Sequence, residues 1–194
     1  IIDVKTAIRF LRAHADEYEI DPEHIGIIGR SAGGQLSALA AMNSDGYESE
    51  EWSAYSSHVQ ACCDMFGPVD FVKLIEDDAL EMRTNPNCRW KKPEDTHAGA
   101  LFGGDMSTLK ERAKPYCPPY ILTKEMCPIL ILHGDCDKLV SCDISEAFYD
   151  DIVKAGMEDR ADLYILHGAG HGTKEFFQQE TKEIIRAFFD KNLK

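Results

Sequence analysis

Residues 25–41 read IGIIGRSAGGQLSALAA: an apolar run stops at a glycine, exposes one serine, and turns into a run rich in Ala and Leu. The β-branched residues at 25–28 predict a short strand, and the residues from Ala32 onward predict a helix, so Gly29 to Gly33 is a strand-to-helix turn. A turn this sharp holds Ser31 in strained backbone geometry with its hydroxyl pointing out of the sheet. The flanking glycines are expected because side chains there would collide with neighbouring elements. The plainer alternative is a tight turn in which Ser31 only caps the helix.

Reading outward, Val4, Ala7, Ile8, Leu11 and Ala15 follow helical spacing, and Asp21-Pro22 closes that amphipathic helix. After the elbow a polar stretch leads to a second strand at 59–65, ending at GPVD. Strand, helix and strand make a βαβ unit, which implies a parallel sheet. Residues from about 71 to 124 carry Pro, Gly and mixed charge with brief apolar runs. They predict short helices and loops forming a lid or insertion, because so long an excursion is not a plain connection. The run PILILH at 128–133 is the next strand, apolar throughout as expected when both sheet faces are covered. Asp143 and Glu146 read as a capping box at the head of a helix carrying Ile144, Phe148 and Ile152 and stopping at Gly156. The last strand is expected at 161–166. A closing helix from about Lys174 would place Phe177, Ile184, Ile185 and Phe188 on one face.

The chain of 194 residues suits one domain. Its 44% hydrophobic and 28% charged content is that of a soluble globular protein, and no segment nears the roughly 20 apolar residues that span a bilayer, so no membrane partner is expected. The formal charge of -13 repels phosphate backbones and argues against nucleic acid as a partner. Seven cysteines without a C-x-x-C pair signal neither a disulfide framework nor a zinc site, and Cys62 and Cys63 fit a strand as small hydrophobes. A reducing, cytoplasmic setting is the corresponding expectation. No motif specifies an oligomeric state.

Residues 29–33 match G-x-S-x-G with the required strand before and helix after. The helix beginning at Ala32 aims free N–H groups and the positive end of its dipole at any oxyanion forming beside Ser31. A serine hydroxyl needs a base to take its proton, and the base needs a carboxylate to fix its tautomer. The loop HGDCDKLV after the third strand offers Asp135 and Asp137, and the loop AGHG after the last strand offers His171. The resulting chain order, Ser then Asp then His, is that of α/β-hydrolases. His133 is expected to brace its loop, and His167 lies at a strand end before Gly168. His14, His24, His58 and His97 are expected at the surface. Arg30 borders the nucleophile and is the candidate substrate contact, with a solvated side chain as the alternative. Trp90 and Phe102 read as packing within the excursion, or as the lining of an acyl or aromatic pocket. Asp70 reads as structural.

The segments IGIIGRSAGG, SSHVQACCDMFGPVD, PILILHGDCDKLV and GAGHG resemble successive landmarks of bacterial α/β-hydrolase esterases, especially the acetyl xylan and feruloyl esterase-like group. That resemblance implies a three-layer α/β/α sandwich with a mostly parallel sheet, equivalent to the C-terminal two-thirds of an α/β-hydrolase. It places the triad acid at Asp137, before x-x-V, and the triad histidine at His171, with Asp135 structuring the loop. It implies a serine hydrolase acting on short-chain acyl or feruloyl esters, as small molecules or on carbohydrate, with no metal and no organic cofactor. It further implies a fragment of a longer chain, with a reduced hydrolase completed by another subunit as the alternative: the strands that usually precede the elbow, and the H-G-G loop that donates the second oxyanion N–H, have no counterpart here. Gly103 and Gly104 fall in the excursion and are poor substitutes. The alternatives are a prolyl oligopeptidase-type exopeptidase, against which Ala32 stands where those enzymes carry an aromatic, and a non-catalytic module of the same fold.

Overall fold

The computed structural model describes residues 1–103 and 106–194. Helices α1 (Ile2–Ala13) and α2 (Ala15–Tyr18) lead into strand β1 (Gly26–Arg30), the elbow and helix α3 (Ala32–Ala41). Strand β2 (Ala61–Met65) follows, then an excursion built on α4 (Phe71–Thr84), α5 (His97–Phe102) and α6 (Met106–Ala113). The chain closes with β3 (Ile129–Gly134), α7 (Asp143–Lys154), β4 (Ala161–Leu166) and α8 (Gln179–Asn192). The four strands pair in parallel in chain order. Each strand therefore ends at the same edge of the sheet, and the loops that leave those ends meet there.

Helices cover both faces. Ile27, Cys62, Ile129 and Ile131 join a core completed by α3, α4 and α7, while Cys63, Met65, Leu130 and Leu132 pack under Phe188 of α8. β2 and β3 are buried along their whole length, which is why their sequences carry almost no polar residue. The exceptions are Asp64 in β2 and His133 in β3, both fully buried. Among the described residues no helix is long and apolar enough to cross a membrane.

Several local expectations are corrected. Helix α1 leaves Ala7 and Leu11 exposed and instead buries Lys5 and Arg9 beside Ile8. The reason is electrostatic: Lys5 Nζ donates to the Ser44 and Gly46 carbonyls at 2.8 Å, Arg9 Nη1 donates to the Ser49 carbonyl, and both pair with Glu48. The polar loop after α3 thus wraps over a charged stripe rather than an apolar one. The second strand starts at Ala61 rather than at 59. No capping box forms at α7, whose N-cap is Cys142; Asp143 and Glu146 fall in the first turn, where their charges face the helix dipole without bonding the backbone. Gly156 does end that helix, at φ 75°. Phe177 is 43% exposed, because a 3-10 turn at Lys174–Phe177 precedes α8 and turns Phe176 inward in its place.

Candidate active site

The elbow has the geometry its sequence requires. Ser31 sits at φ 52°, ψ -122°, a backbone state that L residues rarely adopt, and its N–H donates to the Met65 carbonyl at 2.9 Å. A methyl group at Gly29 would run into the Gly33 carbonyl and Ser37 Oγ, and one at Gly34 into Asp64 Oδ1. The steric expectation therefore holds at Gly29, moves from Gly33 to Gly34, and fails at Gly33, where a methyl group would meet open space. Ser31 makes no side-chain cap on α3, so the plainer reading of the turn is not what forms.

The acid loop is shaped by its own carboxylate. Asp137 Oδ1 accepts from the N–H groups of Leu139 and Val140, at 2.8 and 3.0 Å, which accounts for the spacing of the D-x-x-V pattern. Asp137 Oδ2 lies 2.7 Å from His171 Nδ1, and His171 Nε2 lies 2.8 Å from Ser31 Oγ. A carboxylate only accepts, so the proton sits on Nδ1 and Nε2 is left to accept from the serine hydroxyl. The Asp137 side chain is fully buried and that of His171 is one-fifth exposed. Water is thus kept from the carboxylate while the imidazole stays partly exposed.

Neighbouring strand ends lock the two loops together. Cys136 N–H donates to the Ala169 carbonyl at 2.9 Å, and a side chain at Gly134 would collide with the same residue. Asp135 structures the loop as expected: it accepts from His167 and from Gly168 N–H, and the His167 bond holds its carboxyl below the usual range. His133 is wholly buried, with Ser145 Oγ on Nδ1 and the Val140 carbonyl on Nε2, and burial pulls its pKa down. Its Nε2 also lies 3.4 Å from Asp137 Oδ2, the oxygen that meets His171.

Other candidates lie apart from this chain of bonds. The Arg30 guanidinium rests 5.4 Å above the Phe177 ring, with no hydrogen bond to Ser31, Asp137 or His171. Asp70 caps α4, accepting from Val72 and Lys73 N–H. Trp90 donates to Asp78 and packs against Arg89 and His97 within the excursion. Phe102 packs on Phe71 and Tyr116 and, with Leu36 and Leu39, lines a cavity of about 590 Å³ between α3 and the excursion. Of the two excursion glycines, Gly103 ends α5 at φ 62° and Gly104 lies outside the described residues. Sequence reasoning did not single out Phe66, whose ring stands edge-on to the His171 imidazole at 4.8 Å. Its left-handed backbone, φ 47°, has no signature in the residue type.

A parallel sheet between helices, a serine on a strained elbow, and a Ser–His–Asp hydrogen-bonded chain across three strand ends define the α/β-hydrolase type. The chain belongs to the BD-FAE family, which it matches over residues 1–152. It is 31% identical over 156 residues to the probable carboxylic ester hydrolase LipM of Mycobacterium tuberculosis, covering 78% of this chain and 33% of the relative. It is 28% identical to Esterase LipC of the same organism, covering 89% and 40%. The chain thus spans between a third and two-fifths of the length of these curated relatives. Among solved structures, a truncated carbohydrate esterase from gut microbiota superposes with a TM-score of 0.80 at 30% identity, over 98% of this chain and 67% of that one. The butyrate-bound esterase Est2 of Thermogutta terrifontis gives 0.72 at 26% identity, over 98% and 64%.

Proposed function

We propose that the chain carries a serine esterase site with Ser31 as nucleophile, His171 as general base and acid, and Asp137 holding the imidazole. The observation that carries this reading is the unbroken path from Ser31 Oγ through His171 to Asp137, at 2.8 and 2.7 Å. Ser31 Oγ bonds to the ester carbonyl carbon as its proton passes to His171 Nε2, and the negative charge moves to the carbonyl oxygen. Ala32, exposed at the head of α3, offers that oxygen an N–H with no acceptor inside the helix. The intermediate then breaks its bond to the alkoxy oxygen, which leaves as the alcohol with the proton from Nε2. Water gives a proton to the same nitrogen and its oxygen to the acyl carbon, and the carboxylic acid departs as Ser31 recovers its hydrogen.

The substrate we infer is a short-chain acyl or feruloyl ester, as a small molecule or on a carbohydrate. In support, one structural relative is described as a carbohydrate esterase and another holds butyrate. A substrate contact by Arg30, beside Phe177, belongs to the same proposal; Arg30→Ala would raise KM and leave kcat unchanged. The test of the site is labelling by a fluorophosphonate, located by peptide mass spectrometry. Labelling at Ser31 that is lost in Ser31→Ala and His171→Ala is the expected result, and a folded chain that takes no label would overturn the proposal.

A further inference from the structure

Near its end β2 carries a carboxyl residue, Asp64, that the proposed chemistry does not use. Asp64 is completely buried, one oxygen accepts from Gly67 N–H at 3.0 Å, and the other has no hydrogen-bond partner among the described residues. A buried carboxyl with half its capacity unspent is costly, and such groups concentrate where geometry has to be held. Its place is specific. In the sheet it pairs with Gly29, and a side chain at either Gly34 or Gly67 would strike its Oδ1. The carboxyl is therefore wedged between the first turn of the helix behind Ser31 and the turn that leaves β2.

That second turn touches both Ser31 and His171, the two partners of the proposed proton transfer. The Met65 carbonyl takes the N–H of Ser31 at 2.9 Å. Phe66, 3% exposed and left-handed at φ 47°, sets its ring edge-on to His171 at 4.8 Å and to Phe176 at 4.5 Å. A Phe has no intrinsic preference for that backbone state, so something must hold it. Phe66 N–H bonds the Leu132 carbonyl on one side, and the Asp64 to Gly67 bond closes the turn on the other.

We propose that Asp64 is a positioning residue for the Ser31–His171 pair: by holding Gly67 N–H it sets the turn that anchors Ser31 through Met65 and steadies the imidazole through Phe66. This role rests on Ser31 and His171 being the reacting pair. Burial raises the Asp64 carboxyl to about 7, so near neutrality a large share of it is the uncharged acid, which an asparagine imitates in size and in its remaining acceptor.

The experiment compares p-nitrophenyl acetate hydrolysis by the parent chain, Asp64→Asn, Asp64→Ala and Phe66→Leu, each shown to be folded by circular dichroism, with Ser31→Ala as control. A misplacement of about 1 Å in a reacting group can cost about 10²-fold in rate. Asp64→Ala is expected to lose roughly tenfold or more in kcat with KM within about twofold, and Asp64→Asn to restore most of that loss. Phe66→Leu, which keeps the Gly67 bond, is expected to lower kcat several-fold at unchanged KM, and decides the matter if the alanine variant does not fold. Hydrolysis that depends on Ser31 but is equal in parent, Asp64→Ala and Phe66→Leu overturns the positioning role alone. So does a folded Asp64→Asn as impaired as Asp64→Ala. Hydrolysis that is absent from the parent, or unchanged in Ser31→Ala, overturns the reading of the site and this role with it.

Discussion

Asp137 meets His171 Nδ1 at 2.7 Å with one carboxylate oxygen while its other oxygen is tied to the N–H groups of Leu139 and Val140. The same residue thus builds the loop and orients the imidazole, so its position is set before any substrate arrives. The neighbouring Asp135 holds the exposed His167 and the Gly168 backbone instead. Two aspartates two residues apart therefore do different work.

Replacing each by asparagine separates them. Asp137→Asn keeps the volume but presents an amide to Nδ1, which favours the wrong tautomer; a loss in kcat on the order of 10⁴ is expected by analogy with other Ser-His-Asp enzymes. Asp135→Asn should leave kcat within a few-fold of the parent. Steady-state hydrolysis of an aryl acetate reads both, and similar losses in the two variants would contradict the assignment of the acid to Asp137.

Glycines of the elbow divide in the same way. Gly29→Ala forces a methyl group into the Gly33 carbonyl, a backbone atom that cannot move without moving α3, and overpacking of this kind costs about 1 to 3 kcal/mol or more. Gly33→Ala adds its methyl in open space within a helix, where replacing glycine gains about 0.5 to 1 kcal/mol. Thermal melts should show a lower Tm for the first and an equal or higher Tm for the second.

Much of this was legible in the chain because the relevant patterns are local. The elbow, the apolar run 129–132 of β3, the D-x-x-V turn and His171 in the loop after β4 each follow from a few consecutive residues. What escaped depends on residues far apart in sequence. Lys5 and Arg9 look like a solvated helix face until the loop carrying Glu48 folds over them, and Phe177 obeys helical spacing only if the helix begins before Gln179. Asp64 reads as an interruption in an apolar strand, and its meaning appears only when Gly34 and Gly67 are brought against it.

His133 ties stability to acid. Burial lowers its pKa, so the folded protein favours the neutral ring that bridges Ser145 and the Val140 carbonyl. Its contribution is complete above the ordinary histidine range and falls as the pH drops below about 6.5, where the unfolded chain takes up a proton that the folded one resists. Ser145→Ala, which leaves one buried ring nitrogen without its partner, should lower Tm at pH 7 and 8, through a loss of stability of about 1 to 3 kcal/mol.

Asp64 acts in the opposite direction. Its folded carboxyl is raised to about 7 from 3.8, because desolvation outweighs the single bond from Gly67. The folded state therefore holds a proton that the unfolded chain has already released between those values, and stability declines as pH rises through that window, by at most roughly 1.4 kcal/mol per pH unit. Above about 7 both states are charged and the penalty is constant. Asp64→Asn carries no such proton, so the Tm of Asp64→Asn minus that of the parent should be smallest near pH 4, grow steadily toward pH 7 and level off at pH 8. Melts of the two proteins in matched buffers across that range measure the difference directly. A difference that stays flat from pH 4 to 8 would mean that the Asp64 carboxyl is ionised in the folded protein throughout, as it is in the unfolded chain.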